Sequence, residues 1–319
     1  MRCRRRILLM GAMGLAFGLP PATAARAEDA GMAAREARWT PVDDRTARLD
    51  ITSALTGRDY AVLVRIPEGP APAEGWPTLW MLDGFATFPL VADRRLADGT
   101  APGGLIIAVG FPSGEDFDNA RRSEAYTPVP DADPGAPRSG PVFGGAGGFR
   151  RFLLEELRPE IARRFPLASD RGTLFGFSYG GLFTLDTVLT APGSFTRYWA
   201  ASPSLWFSEA QIPRRLRAGA GPAAAPGDGL PRVTITAGLE EQFPTEPLPA
   251  ERLAHLRRRA MIDNTTEVAR LLGEAGFPVE LRQMPGLDHM GMLRDGAERI
   301  LDAAFGADPF AGTTAGAAR

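Results

Sequence analysis

The sequence has no lysine: all 36 of its Lys-or-Arg residues are arginine. The glycine run at 144–148 therefore lacks the lysine of a phosphate-binding loop. It also lacks the strand-to-helix setting, and it reads as flexible loop. Cysteine is almost missing. The one cysteine, Cys3, falls in a segment expected to be removed, which leaves the mature chain without a disulfide, a thiol nucleophile or a Cys-ligated metal. Histidine is restricted to His255 and His289. They sit on different predicted elements, no H-E-x-x-H motif is present, and neither a metal nor a cofactor is expected. A strong charge of either sign is also lacking. The net charge of -2 gives no electrostatic case for a nucleic-acid partner.

The first residues, MRCRRRILLMGAMGLAFGLPPATAARAEDA, have a basic head, an apolar stretch and two A-x-A sites, Ala22-Thr23-Ala24 and Ala25-Arg26-Ala27. This pattern predicts a secretory signal over 1–27. The arginine pairs before Ile7 also fit a twin-arginine signal and a periplasmic destination. The apolar stretch is short for a spanning helix, so no stable membrane insertion is expected after cleavage. Residues 28–319 are expected to form one domain. The whole sequence, 44% apolar and 23% charged, has the composition of an ordinary soluble globular protein.

Along this domain, an exposed linker leads into ARLDITSALTGRDYAVLVRIPEG, two β-rich runs that predict an antiparallel hairpin about Thr56-Gly57-Arg58-Asp59. WPTLWMLDG and GLIIAVGFP read as strands, the second covered on both faces. Residues 113–148 are rich in Pro, Gly, Asp and Arg and read as a long loop or small cap. FRRFLLEELRPEIARRFP reads as a helix, RGTLFGFSYGG as strand, turn and helix start, and FTRYWAASPSLWF as a short strand and loop. PRVTITAGLEEQ is a further strand. A long amphipathic helix is expected over 250–276, then a strand and loop in PVELRQMPGLDHMGM, then a final helix. Alternating strands and helices imply an α/β fold with one mostly parallel, doubly wound sheet.

LFGFSYGGLF (174–183) carries the chemistry. A serine hydroxyl needs a base within hydrogen-bond reach and donors for the oxyanion that forms on attack. G-x-S-x-G between a strand and a helix presents the hydroxyl of Ser178 above the sheet, on a turn too sharp for large neighbours. His255 lies on an arginine-crowded helix and reads as a surface residue. His289, in the loop after the last strand, fits as the base. The acid should lie between Ser178 and His289, where Glu240 and Glu241 end a strand. Asp288, Asp186 and Asp263 are poorer alternatives, and a Ser–His pair without an acid remains open. One oxyanion donor is expected at the Tyr179 N–H. The other is expected at Phe85, or alternatively Gly84, in LDGFATF, where Asp83 reads as a turn-former.

The stretches TLWMLDGFATF, NARRSEAYTP, GFSYGGLFTL, ASPSLWF, TAGLEEQ and GLDHMGM together resemble the putative-esterase branch of the α/β-hydrolases. The likeness is greatest to the esterases of enterobactin, salmochelin and bacillibactin, and it runs from about residue 40 to 305. It implies an α/β-hydrolase fold and a serine esterase acting on a small-molecule ester such as a ferric or apo siderophore. A G-x-x-E turn after the seventh strand implies Glu241 as the acid. The stretch departs from the family pattern at Ala125, Phe207 and Met290. By the same resemblance, Arg121 and Arg122 are candidates to grip anionic oxygens, and Trp206, Tyr126, Phe85 and Phe207 to stack on aromatic rings. The alternatives are another carboxylesterase, acting on acetyl or feruloyl groups, or an inactive hydrolase fold that only binds.

Overall fold

The computed structural model describes residues 36–131, 140–219, 229–306 and 309–310. The expected signal segment with Cys3 and the last residues, 311–319, lie outside the described residues, as do 132–139 and 220–228 within the two expected loops.

Nine strands form one sheet in the order β1-β2-β3-β5-β4-β6-β7-β8-β9. β1 (Glu36–Pro41), β2 (Thr46–Thr52) and β3 (Asp59–Arg65) run antiparallel, and β3 is antiparallel to β5 (Leu105–Gly110). From β5 onward all pairs are parallel, through β4 (Trp76–Leu82), β6 (Leu167–Phe177), β7 (Arg197–Ala201), β8 (Arg232–Gly238) and β9 (Val279–Met284). The turn between β2 and β3 lies where the Thr56-Gly57-Arg58-Asp59 signal predicts it. β1 occupies the stretch expected as linker. Its residues are almost all exposed, so no burial pattern marks it.

The central strands are buried on both faces, and the period of two in side-chain direction divides them between two cores. In β4, Trp80 and Leu82 join one core while Leu79 and Met81 join the other. Helices α1 (Gly84–Val91) and α9 (His289–Phe305) cover the second face, with Phe88, Val91, Met292, Leu293 and Ile300 packed on Met81, Ile106 and Phe175. The other face carries α2 (Asn119–Tyr126), α3 (Ala146–Arg151), a π-helical turn continuing into α4 (Arg158–Ala162), α5 (Tyr179–Thr190), α6 (Phe207–Arg217) and α8 (Met261–Glu274).

Three helical details differ from the sequence expectation. α2 is an ordered helix inside the stretch read as loop, with Arg122, Ser123, Ala125 and Tyr126 buried. The long helix expected over 250–276 is broken at Ala260, whose φ of 46° is left-handed; it divides into α7 (Ala250–Arg259), which buries nothing, and α8. α6 is interrupted near its start, where Ser208, Glu209 and Ala210 all have left-handed dihedrals. Among the described residues, every ion pair takes its cation from arginine except that of His289 with Glu241. No helix of the described residues is long and apolar enough to cross a membrane.

Candidate active site

Ser178 stands between β6 and α5 with φ 58° and ψ -115°. This is a strained backbone position that few residues other than glycine adopt. The turn is tight enough that a Cβ on Gly176 would come within 2.1 Å of the Gly180 carbonyl oxygen. The Ser178 N–H donates to Ala201 O at 3.0 Å, and its carbonyl accepts from the N–H of Leu182 (2.9 Å) and Ser204 (3.0 Å). The strained residue is therefore held by its own helix and by the end of β7 with the loop after it.

His289 is the first residue of α9. The preceding Asp288 caps that helix by accepting from Gly291 N–H at 2.7 Å, so its carboxylate is directed away from the imidazole's acid position. The His289 ring packs on Phe177, with centroids 4.6 Å apart. Its Nε2 lies 3.1 Å from Ser178 Oγ and its Nδ1 lies 2.5 Å from Glu241 Oε2. Glu241 is 5% exposed. Its other oxygen, Oε1, accepts from Gly238 N–H (2.9 Å) and from Ser202 Oγ (2.5 Å). A Cβ at Gly238 would fall 2.0 Å from Leu287 O, and Glu240 N–H donates to that same carbonyl at 3.2 Å. The end of β8 and the loop carrying His289 are thus in direct backbone contact.

The alternatives for the acid are engaged elsewhere. The Glu240 side chain accepts from Thr245 N–H (2.6 Å). Asp186 pairs with Arg150 and Arg215, and Asp263 accepts from Gln242. The structure brings Ser178, His289 and Glu241 together and leaves these three apart. Tyr179 and Phe85 are the first and second residues of α5 and α1, where N–H groups have no acceptor within their own helix.

Two expected substrate contacts are corrected. Arg122 is not a free cationic fork. It is 6% exposed and makes a bidentate pair with Asp83, Nε to Oδ1 and Nη2 to Oδ2, both at 2.9 Å; Nη2 also reaches Phe177 O at 3.4 Å. Burial raises the Asp83 carboxyl above its ordinary pKa against the pull of Arg122. For Arg122 burial opposes the charge, but contact with Asp83 outweighs it and raises the guanidinium. Asp83 itself has left-handed dihedrals (φ 51°, ψ 54°) immediately before α1, so the pair clamps the turn that presents Gly84 and Phe85. Tyr126 is fully buried, its hydroxyl accepts from Asp83 N–H at 3.1 Å, and its ring packs on Phe111, Phe149 and Phe183. It is core, and it supports the same clamp.

Arg121 donates to Asp59 O at 3.3 Å and lies over the rings of Tyr60 and Phe111. Trp206 is half-buried beside the nucleophile's neighbour, its ring 6.0 Å from that of Tyr179, with Arg259 4.7 Å above it. Phe207 is buried, edge-on to Tyr179 and Phe143. Beside His289 opens a cavity of about 760 Å³, lined among others by Met290, Leu248, Arg252, His255, Arg258 and Arg259. His255, expected as a surface residue, is exposed at this cavity's wall, and the positive charge of Arg259, Arg258 and Arg252 together with desolvation lowers its pKa. Sequence reasoning passed over Ser202 and Ser204. Both are buried in the loop after β7, and the Ser-Pro-Ser stretch signalled them only as part of a longer resemblance.

Residues 53–277 match the family model described as "Putative esterase", a span that holds Ser178 and Glu241. The chain is 30% identical over 283 residues to the siderophore enterobactin esterase of Emericella nidulans, covering 80% of this chain and 93% of that protein. It is 29% identical over 257 residues to the ferri-bacillibactin esterase BesA of Bacillus subtilis, covering 76% and 83%. Among solved structures, the siderophore hydrolase EstB from Aspergillus nidulans superposes with a TM-score of 0.71 at 26% identity, over 83% of this chain and 97% of that one. With an α/β-hydrolase-type sheet, a serine on its strand-to-helix turn and a family match over most of its length, the chain is an esterase and belongs to the putative-esterase family.

Proposed function

We propose that the protein is an exported serine carboxylic-ester hydrolase that opens siderophore lactones through an acyl-enzyme on Ser178. The observation that carries the reading is the unbroken line from Ser178 Oγ to His289 Nε2 at 3.1 Å and from His289 Nδ1 to Glu241 at 2.5 Å. Ser178 Oγ attacks the ester carbonyl while His289 Nε2 takes its proton. Glu241 holds the ring with Nδ1–H toward itself, which leaves Nε2 as the acceptor, and it faces the imidazolium that forms. The N–H groups of Tyr179 and Phe85 receive the oxyanion. His289 returns the proton to the departing alkoxide, so the lactone ring opens to a free hydroxyl at one end while the acyl end stays on Oγ. His289 then deprotonates water, which attacks the acyl carbonyl and releases the acid and free Ser178.

The substrate class rests on relatives named as esterases of bacillibactin and enterobactin. The secretory pattern of 1–27 supports export, by the twin-arginine route, to the periplasm.

Turnover of a catecholate trilactone set against short p-nitrophenyl esters tests the proposal. A kcat/KM for the trilactone at least about a hundredfold higher is expected, since remote binding energy from a bulky substrate is realised in the transition state. The reverse preference assigns the enzyme to other acyl esters.

A further inference from the structure

The loop after β7, Ala201-Ser202-Pro203-Ser204, touches both ends of the line between Ser178 and Glu241. Ser202 has a left-handed φ of 42° and is fully buried. Its N–H donates to Thr236 O on β8 at 2.7 Å, and its hydroxyl donates to Glu241 Oε1 at 2.5 Å. Two residues on, Ser204 is 1% exposed, donates its N–H to Ser178 O, and places its Oγ 3.2 Å from Ser178 Oγ.

The direction of these bonds follows from proton counting. The Glu241 carboxylate only accepts, so His289 Nδ1 carries its hydrogen and Nε2 is an acceptor. Ser178 spends its single hydroxyl proton on Nε2. The proton between the two serines must then come from Ser204, which donates to Ser178 Oγ.

We infer that this loop is part of the catalytic apparatus, with Ser204 as a catalytic residue that donates a hydrogen bond to the nucleophilic oxygen and Ser202 as a positioning residue that acts through Glu241. The inference rests on the assignment of Ser178 as nucleophile. In the resting enzyme Ser204 occupies one lone pair of Oγ and leaves the other for attack. As the Oγ proton passes to His289, negative charge gathers on Oγ and the Ser204 bond becomes charge-assisted. In the acyl-enzyme Oγ is an ester oxygen, a weaker acceptor, so the bond favours the transition state over the state that follows it. The same bond supports Oγ as it departs in deacylation. Ser202 fixes the rotamer of Glu241 from the side opposite His289, which an acid carried on a short turn needs.

Two measurements on the full-length mature chain test this. The first is the second-order rate of labelling by a fluorophosphonate, which reports attack by Ser178 without substrate binding subsites. Ser204→Ala is expected to label about ten- to a hundredfold more slowly, the range for losing one charge-assisted hydrogen bond, with KM for a neutral ester little changed and thermal stability near wild type. Wild-type labelling by a folded Ser204→Ala protein overturns the role of Ser204. Ser204→Cys, which is somewhat larger but keeps a weak donor, is expected between the two; should the alanine variant fail to fold, labelling by the cysteine variant at the wild-type rate overturns it instead. The second is a double-mutant cycle. Ser202→Ala is expected to lower kcat in the parent enzyme but to change it less than about twofold in a Glu241→Ala background, because a residue acting through Glu241 has nothing left to position. Equal losses in both backgrounds overturn the role of Ser202. If the parent enzyme is not labelled at all, the assignment of Ser178 fails, and that outcome is distinct from either of these.

Discussion

At the scale of single residues, the site separates side chains that meet His289 from neighbours of the same type that do not. Ser178→Ala and His289→Ala are each expected to lower kcat by about a thousandfold or more, with melting temperatures within a few degrees of wild type, checked by ester turnover and circular dichroism. The neighbouring glutamates give a sharper contrast. Glu241→Gln should cost far more activity than Glu240→Gln, because only Glu241 meets His289 while Glu240 caps a solvent-side turn. Glu241→Ala should also destabilise the fold by about 1–3 kcal/mol, since the Gly238 N–H and Ser202 hydroxyl lose a buried acceptor; urea denaturation measures this. That Ser178 and His289 would meet was legible in the sequence, because a strand–turn–helix motif and an extreme shortage of histidine left few choices. Arg122 and Tyr126 were misread as substrate contacts, since a family motif fixes residue type but not the direction of the side chain. Ser202 and Ser204 gave no signal of their own, because serines beside a proline read first as loop.

At the scale of elements, non-glycine backbone is left-handed both before α1 and at the start of α6. The Asp83–Arg122 pair is buried on both sides and shapes the left-handed turn before α1. Asp83→Ala leaves a guanidinium buried without its partner and should cost about 3–5 kcal/mol of stability. Asp83→Ala combined with Arg122→Met should recover much of that loss in a denaturation curve. It should not recover kcat, because the turn presenting Phe85 N–H has lost its clamp. A second strained stretch lies in α6. Three consecutive non-glycine residues, Ser208 to Ala210, hold left-handed dihedrals, each at a cost of about 1 kcal/mol or more. Ala210→Gly is expected to raise the melting temperature by a few degrees, equivalent to about 1 kcal/mol; a fall would show that the turn relaxes freely. The alternation of strands and helices was readable from hydrophobic pattern. α2 was hidden because a short helix lies within a Pro- and Gly-rich stretch. The break at Ala260 was hidden because neither Pro nor Gly marks it.

At the scale of the whole molecule, the doubly wound sheet gathers residues from the ends of β6, β7 and β8 and from the start of α9 on one crest, which is why Ser178, Ser202, Glu241 and His289 converge from distant parts of the sequence. That convergence follows from topology, and the order of strands could be argued from the sequence only as a class. The electrostatics of the whole fold have a simpler origin. All 36 Lys-or-Arg residues are arginine, and arginine keeps its charge well beyond the pH at which lysine, with a pKa of about 10.4, loses it. The four tyrosines, Tyr60, Tyr126, Tyr179 and Tyr198, are all pushed upward by burial. A group whose pKa is raised by folding favours the fold fully below its unfolded value, near about 10 for tyrosine, and less as pH rises through the folded value. The melting temperature of the protein should therefore be level from about pH 8 to about pH 10 and fall beyond it, which a series of thermal scans in matched ionic strength would show. The ion pairs that secure the fold do not titrate in mildly alkaline water, so a scaffold built entirely on guanidinium cations keeps its geometry where hydroxide begins to attack esters unaided.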